Sequence, residues 1–169
     1  SSAASDVYKR QEFPFGTATL TRDLSKFIQN EVVPKIKQGF NDSEIKINVI
    51  EVIGHTDTVE VNGFSNLDQR LNQVANNLNS GVETLKAGPN ADLGLMRALS
   101  VIKALEQDKE LIQFFHEQGL IKDSQDKKQT IFRAYSAAQL YDSRGKLASS
   151  QGESSSSRRI EIRFTYIEP

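Results

Sequence analysis

The sequence of 169 residues contains no cysteine and no tryptophan, and it has only four prolines. Without cysteine the chain forms neither disulfide bonds nor thiolate metal sites, although this absence leaves both the cytoplasm and the periplasm open. An excess of one charge is also missing, because 21 basic and 22 acidic residues give a formal net charge of −1. Proteins that bind the nucleic-acid backbone normally carry a basic excess, so we expect no nucleic-acid partner.

Long hydrophobic runs are absent as well. No apolar run approaches the roughly 20 residues that a membrane-spanning helix requires, and the N-terminus lacks the basic-then-apolar order of a signal peptide. With 37% hydrophobic and 25% charged residues, the chain is long enough for one domain with a core and too short for two. We therefore expect a single soluble domain.

The first eleven residues need separate treatment. Residues 6–11 (DVYKRQ) match the translation of a transposase end sequence used in preparing sequencing libraries, while residues 1–5 (SSAAS) suit a disordered polar tail. We hypothesise that residues 1–11 are non-native or disordered, and we assign residues 12–169 to the domain. On this hypothesis the native protein continues upstream, where a membrane anchor would lie.

The spacing of apolar residues predicts the elements of the first half of the chain. A short aromatic-rich strand and a turn are expected over residues 13–20, followed by a helix that bends or ends near Val33, because Pro34 interrupts its pattern. A buried strand is expected over residues 45–53, where apolar residues alternate at first and then become continuous. Gly54 ends this strand.

The second half supplies a long helix and two more strands. Apolar spacing predicts a helix from Asn90 to about Leu105, and alternation predicts strands over residues 130–135 and 160–166. Segment 58–89 is interpreted as an inserted helix flanked by loops, one face of which carries Leu67, Leu71, Val74 and Leu78. Strands that alternate with helices predict an α/β sandwich of about four strands with helices covering one face.

Polar residues follow the predicted buried strand at its carboxyl end, where α/β sheets usually bind their ligands. These residues belong to the sequence Gly-His-Thr-Asp at 54–57, so Asp57 is a candidate site residue. The helix that follows later is expected to have Asn90 as its N-cap, and helical periodicity places Asn90, Leu93, Gly94 and Arg97 along one stripe.

The chemistry of this pair of elements suits an amino-acid-like zwitterion. Asp57 would accept hydrogen bonds from an ammonium group, and Arg97 would hold a carboxylate with its planar guanidinium. Gly94 has no side chain, so we expect a ligand to approach the helix backbone there. Without further context, a structural ion pair is the favoured interpretation of Asp57 and Arg97, and a solvated charge pair is that of Arg158 and Arg159.

Three ordered motifs resemble the C-terminal domains of the OmpA/MotB family, whose pattern is G-H-T-D, then N-x-x-L-S-x-x-R-A, then N-R-R-V-E-I. Here the corresponding sequences are GHTD at 54–57, NADLGLMRA at 90–98 and SRRIEI at 157–162. The resemblance spans about residues 13–166. It implies an OmpA-like fold, a mixed sheet of βαβαββ type with about four strands and helices packed on one face.

The resemblance also implies a ligand and the residues that hold it. Family members bind peptidoglycan without covalent chemistry and grip the diaminopimelate of its peptide stem, here through Asp57 and Arg97. Thr56, Asn90 and Leu93 match neighbouring pocket positions, and we include Arg159 as a further candidate. Three departures concern the surroundings of the pocket: the long insertion at 58–89, Gly94 and Ser157 in place of serine and asparagine, and residues 134–136 in place of Gly-Tyr-Gly.

The implied role is to anchor an envelope protein to the cell wall, in the periplasm or at the outer membrane of a Gram-negative-type bacterium. Peptidoglycan is the expected partner, membrane contact would depend on an N-terminal anchor upstream, and a homodimer is possible. The alternative is the MotB-like, peptidoglycan-anchoring end of an ion-driven stator-like complex, of flagellar-motor or defence-system type.

Neither catalysis nor a cofactor is expected. The chain has no cysteine nucleophile, no serine in a nucleophile elbow and no carboxylate pair at a catalytic spacing. His55 and Asp57 could begin a metal site, but His116 is the only other histidine and lies in a different predicted element. We therefore predict a binding domain without a metal ion.

Overall fold

The computed structural model describes residues 2–8 (backbone only), 12–42, 44, 46–77, 79–121, 131–149 and 154–168. Nine main elements follow one another within these ranges: β1 Ser2–Tyr8, α1 Arg22–Phe27, α2 Val33–Asn41, β2 Val49–His55, α3 Leu67–Asn76, α4 Asn90–Gln107, α5 Lys109–Glu117, β3 Phe132–Ala138 and β4 Ile160–Thr165. A π-helical segment, Ile28–Val32, joins α1 to α2, and short 3-10 turns occupy Val82–Thr84 and Ser155–Ser157. No helix in the described ranges is long and apolar enough to cross a membrane.

The four strands form one mixed sheet in the order β1-β4-β2-β3. β2 runs parallel to β3 and antiparallel to β4, while β1 is antiparallel to β4. The parallel pair is connected through α4 and α5, as a parallel crossover requires. The predicted mixed α/β fold with about four strands is therefore confirmed.

Helices cover one face of this sheet. Alternate residues of β2 and β4 enter a single apolar core with α1, α2, α4 and α5, among them Ile50, Val52, Ile160, Ile162 and Phe164. The intervening residues, such as Glu51, Ile53, Glu161 and Arg163, belong to the opposite face, because successive side chains of a strand alternate. The two faces thus have different chemistry.

The N-terminal region differs from the prediction. Residues 13–20 form no strand; Gly16 adopts a positive φ of 68° in a turn, and the carbonyls of Pro14 and Thr17 accept hydrogen bonds from a side chain instead of a neighbouring strand. The prediction of a strand there was wrong. The first strand is Ser2–Tyr8, whose backbone pairs with the outer edge of β4. That residues 1–11 are a non-native or disordered tail stays a prediction.

Pro34 changes the type of helix without ending it. The π-helical segment Ile28–Val32 precedes it, and Pro34 then occupies the first turn of α2, where its missing N–H is tolerated. The helix continues to Asn41. The strand predicted to begin at residue 45 begins at Val49, and the strand predicted to begin at residue 130 begins at Phe132. Ile45 and Thr130 themselves lie outside the described residues.

The inserted segment contains the predicted helix, α3. Its buried residues Leu67 and Val74 join a second apolar cluster with Leu93, Met96 and Leu99 of α4. Leu71 packs against this cluster, while Leu78 lies outside the described residues. α4 therefore packs on the sheet with one side and on the insertion with another.

Candidate functional site

The site begins where β2 ends against α4. A Cβ atom added to Gly54 would lie 1.8 Å from the carbonyl oxygen of Gly94, so only two glycines permit the observed approach of strand and helix. A Cβ on Gly94 would lie 2.3 Å from Oγ of Ser136 and 2.8 Å from the Gly54 oxygen. Gly94 thus allows α4 to pack on the sheet, which corrects the expectation that it opens the helix to a ligand.

Asp57 lies just beyond the carboxyl end of β2, and only 5% of its surface is exposed. Its Oδ1 accepts from the backbone N–H of Val59 at 3.2 Å. Its Oδ2 accepts from Nη1 of Arg158 at 3.1 Å and from the backbone N–H of Ser154 at 3.3 Å. The carboxylate therefore has an ion-pair partner, but this partner is Arg158.

Arg97 is fully buried in α4 and spreads its guanidinium over three backbone carbonyls. Nε donates to Thr17, Nη1 to His55 and Nη2 to Pro14, at 3.0, 3.0 and 3.1 Å. The Phe13 ring packs against the guanidinium at 5.2 Å from its centroid. Burial lowers the pKa of Arg97 to about 10, and the charge of nearby Asp57 opposes this shift. Arg97 consequently remains charged at neutral pH.

This arrangement makes Arg97 a bridge between the N-terminal segment and the end of β2. A guanidinium has five N–H donors, and three of them are used here by carbonyl groups. A direct contact between Arg97 and a ligand stays a prediction. Its observed contacts position the backbone around Asp57.

The two adjacent arginines before β4 have different partners. Arg158 contacts Asp57 and also donates from Nε to the Phe13 carbonyl at 2.9 Å. Arg159 donates instead to the carbonyls of Tyr141 and Asp142 at 3.5 and 2.8 Å. Both arginines are buried, so they are not a solvated pair, and Arg158 rather than the predicted Arg159 joins the Asp57 site.

The remaining predicted residues surround Asp57 and Arg97 as structural neighbours. Asn90 is the first residue of α4 and not its N-cap, a position that Pro89 takes; its Nδ2 donates to the Val59 carbonyl at 2.9 Å. Its buried Oδ1 has no hydrogen-bond partner in the described part of the chain. Thr56 is buried and donates to the Asp57 carbonyl, and Leu93 lies in the second apolar cluster.

His55 points to the opposite side of the sheet. Its Nε2 lies 3.3 Å from Oε1 of Glu161, whose other oxygen accepts from Nε of Arg163 at 2.8 Å. Burial lowers the pKa of His55 to about 4, with the positive charge of Arg159 as a second cause. His55 is therefore neutral at pH 7 and belongs to a different cluster from Asp57. Among the described residues no group of three or more histidine, aspartate or glutamate side chains could hold a metal ion.

Sequence reasoning missed Arg158 and the backbone of Ser154 and Val59. The adjacent residues Arg158 and Arg159 were an indication in the sequence, because neighbouring residues just before a strand tend to point to opposite sides, so that one of the two would face the site. Nothing in the sequence pointed to Ser154. Chemically, the site offers a buried carboxylate held by a guanidinium, with an unpartnered amide oxygen on the adjacent helix.

No family model matches the chain, and no curated protein matches it. Among solved structures, the periplasmic domain of MotB from Helicobacter pylori is similar, with 15% sequence identity and a TM-score of 0.49. This similarity covers 96% of the present chain and 80% of that chain.

Proposed function

We propose that this domain binds peptidoglycan noncovalently and thereby anchors an envelope protein to the cell wall. The observation that carries the proposal is the convergence of three motifs that lie far apart in the sequence. Asp57 of the first motif pairs with Arg158 of the third, and Arg97 of the second donates to the carbonyl of His55, two residues before Asp57. Three motifs can share one ligand site only if their residues meet in space, and here they meet at the end of β2, a central strand.

Within the proposed site, Asp57 accepts an ammonium group of the peptide stem. The carboxylate is already positioned by Val59 and Arg158, and its contact with the N–H of Ser154 is the longest of the three at 3.3 Å. An ammonium ion would replace this neutral donor with a charge-assisted hydrogen bond, which is stronger. The ligand thus enters where the segment that begins at Ser154 covers Asp57.

The carboxylate of a diamino acid is assigned to Arg158 and the N–H groups near it. Nε of Arg158 donates to the neutral Phe13 carbonyl, and a ligand carboxylate would replace this acceptor with a charged one. Asn90 supports the ammonium end, because its unpartnered Oδ1 accepts hydrogen bonds at the start of α4. Arg97 has a positioning role: it holds the backbone on both sides of the carboxylate.

Titration with meso-diaminopimelate tests the ligand assignment. We expect saturable changes in the amide NMR signals of Asp57, Val59 and Asn90, and a weaker response to 1,5-diaminopentane, which has two ammonium groups at the same spacing but no carboxylate. Equal responses to the two compounds would contradict the assignment of a ligand carboxylate to Arg158. Binding to sacculi without binding to either compound would retain peptidoglycan as the partner and move the contact elsewhere in the polymer.

A peptidoglycan-binding site in the periplasm would serve either a passive tether or an ion-driven, stator-like complex. The two differ in what precedes the domain in the native gene. A single membrane helix with an ionisable residue inside it is expected for the ion-driven complex, and a barrel or lipoprotein signal for the tether. Recovery of the native upstream reading frame decides between them.

A further inference from the structure

A cavity separate from the Asp57 site lies on the face of the sheet that the described helices leave uncovered. We call it the open-face cavity; its volume is about 930 Å³, and it lies between the sheet and residues 140–145. Its floor includes Ile53, Tyr135 and Glu161, one from each of three neighbouring strands. Small-molecule sites commonly have volumes of about 300–1,000 Å³. None of Asp57, Asn90, Arg97 and Arg158 lines it.

Two of the residues that line this cavity each have a buried side-chain atom without a hydrogen-bond partner among the described residues. These atoms are Nδ1 of His55 and Nε of Arg159, and both residues are only 2% exposed. His55 faces Glu161 with its Nε2, so the neutral ring donates there and keeps Nδ1 as an acceptor. Each of these two lining residues therefore has one buried polar atom that nothing in the described chain satisfies. Buried polar atoms are normally satisfied by a ligand or by ordered water when the protein provides no partner.

Three arginines and two glutamates are the charged residues that line the open-face cavity. Glu161 already accepts from His55 and Arg163, and Glu51 accepts from the Thr165 hydroxyl at 2.8 Å. Arg163 donates only through Nε in these contacts, and 47% of its side chain is exposed. Arg159 adds its unpartnered Nε–H. A ligand rich in acceptors fits such a wall, and guanidinium groups favour carboxylates among such acceptors.

Aromatic rings add an apolar surface to the cavity. Tyr135 and Tyr141 line it with 41% and 39% of their surfaces exposed, next to Leu140 at 52%. Exposed tyrosines of this kind provide rigid contact area for an organic body together with a polar hydroxyl group. An inorganic anion would leave these rings without a partner.

We propose that the open-face cavity binds a small organic carboxylate, distinct from any ligand of the Asp57 site. The carboxylate group accepts from the guanidinium groups of Arg159 and Arg163, and the organic body contacts Tyr135 and Tyr141. A hydroxyl or N–H group on the same ligand donates to Nδ1 of His55. This assignment does not depend on whether the domain binds peptidoglycan.

Titration of the full chain with 4-hydroxyphenylacetate, followed by amide NMR, tests this proposal, with 4-hydroxyphenylacetamide as the uncharged counterpart. We expect saturable shifts at Ile53, Tyr135 and Glu161 at concentrations up to about 10 mM, and binding of the amide at least about tenfold weaker. No saturable shifts with the carboxylate, equal affinity for the amide, or shifts confined to Asp57 and Asn90 would each overturn the proposal.

Variants of two arginines on the sheet sharpen the test. Arg163→Gln removes a half-exposed guanidinium of the cavity, and we expect it to weaken carboxylate binding at least about tenfold. Arg133→Gln is the matched control, because Arg133 is exposed on β3, which β2 separates from β4, and does not line the cavity. Unchanged affinity in Arg163→Gln, or an equal loss in both variants, would contradict the assigned contact. Arg159 is kept intact because it also holds the backbone of Tyr141 and Asp142.

Discussion

Asp57 and Arg158 form a buried ion pair across 101 positions of sequence, with Oδ2 and Nη1 separated by 3.1 Å. Both side chains are largely shielded from water, at 6% and 11% exposure. A buried charge that loses its partner is costly, whereas an intact pair contributes little by itself to stability. The pair therefore fixes two opposite charges at the candidate site without contributing much to the stability of the fold.

Replacing Arg97 tests whether it holds the backbone. We expect Arg97→Met to lower the free energy of unfolding by roughly 3 kcal/mol or more, because three buried carbonyls would lose a charged donor. Urea unfolding measures this change. Arg70→Met is the control, since Arg70 is exposed in α3. A fully stable Arg97→Met protein that no longer binds peptidoglycan would contradict the positioning role and favour direct ligand contact.

The glycine contact between β2 and α4 makes a second prediction. Gly54→Ala would place a Cβ 1.8 Å from the carbonyl oxygen of Gly94, so helix and strand must separate. We expect a loss of about 1–3 kcal/mol or more in the free energy of unfolding. In Gly39→Ala the new Cβ would meet only the Phe164 ring, at 3.4 Å, and stability should change little. Similar melting temperatures for the two alanine variants would show that the contact is looser than described.

Stability should fall as the pH is lowered through the range of His55. Its pKa is about 4 in the folded protein against 6.5 for an unperturbed histidine, so the unfolded chain binds more protons between these values. The stabilisation is complete above about pH 6.5 and is lost progressively towards pH 4, by up to about 3 kcal/mol. The groups that face His55 are Arg159, Glu161 and Arg163.

Chemical denaturation at several pH values between 7.5 and 5 measures this loss. His55→Gln should flatten the dependence, whereas His116→Gln should retain it, because His116 lies in helix α5 and His55 in strand β2. If the His55→Gln and wild-type proteins lose stability equally over this range, the dependence has another source.

The insertion is expected to be part of the folded domain. Val74 of α3 is 2% exposed and packs in the second apolar cluster, so Val74→Ala should lower the free energy of unfolding by about 1–3 kcal/mol. Phe64, at 97% exposure, provides the contrast, and Phe64→Ser should leave stability unchanged. Urea midpoints of the two variants give the comparison. A neutral Val74→Ala substitution would mean that α3 contributes nothing to the packing of α4.

Several features were predictable from the sequence because they depend on local pattern. Alternation in residues 160–166 identified β4, and helical spacing identified α3 and α4. The choice between Arg158 and Arg159 was not predictable, since the two lie on opposite sides of an extended chain and a shift of one residue exchanges them. The contact of Gly94 with Gly54 was also hidden, because it depends on how closely a helix approaches a strand 40 positions away.

The N-terminal segment illustrates a second limit. Residues 13–20 have the composition of a strand, yet their carbonyls accept hydrogen bonds from Arg97, which is distant in sequence. A tertiary contact of this kind overrides local propensity. The sequence pattern does not distinguish a guanidinium aimed at backbone oxygens from one aimed at a ligand, so a direct contact between Arg97 and a ligand stays a prediction.

Co-sedimentation of the full chain with purified sacculi, compared between Asp57→Asn and the exposed control Asp68→Asn, tests the central claim most directly. Asp57→Asn preserves the shape of the side chain and removes its charge, so we expect binding to fall at least about tenfold while Asp68→Asn binds like the wild type. Circular dichroism confirms that both variants are folded. Wild-type binding by a folded Asp57→Asn protein would contradict the assignment of Asp57 as the residue that holds the peptide stem.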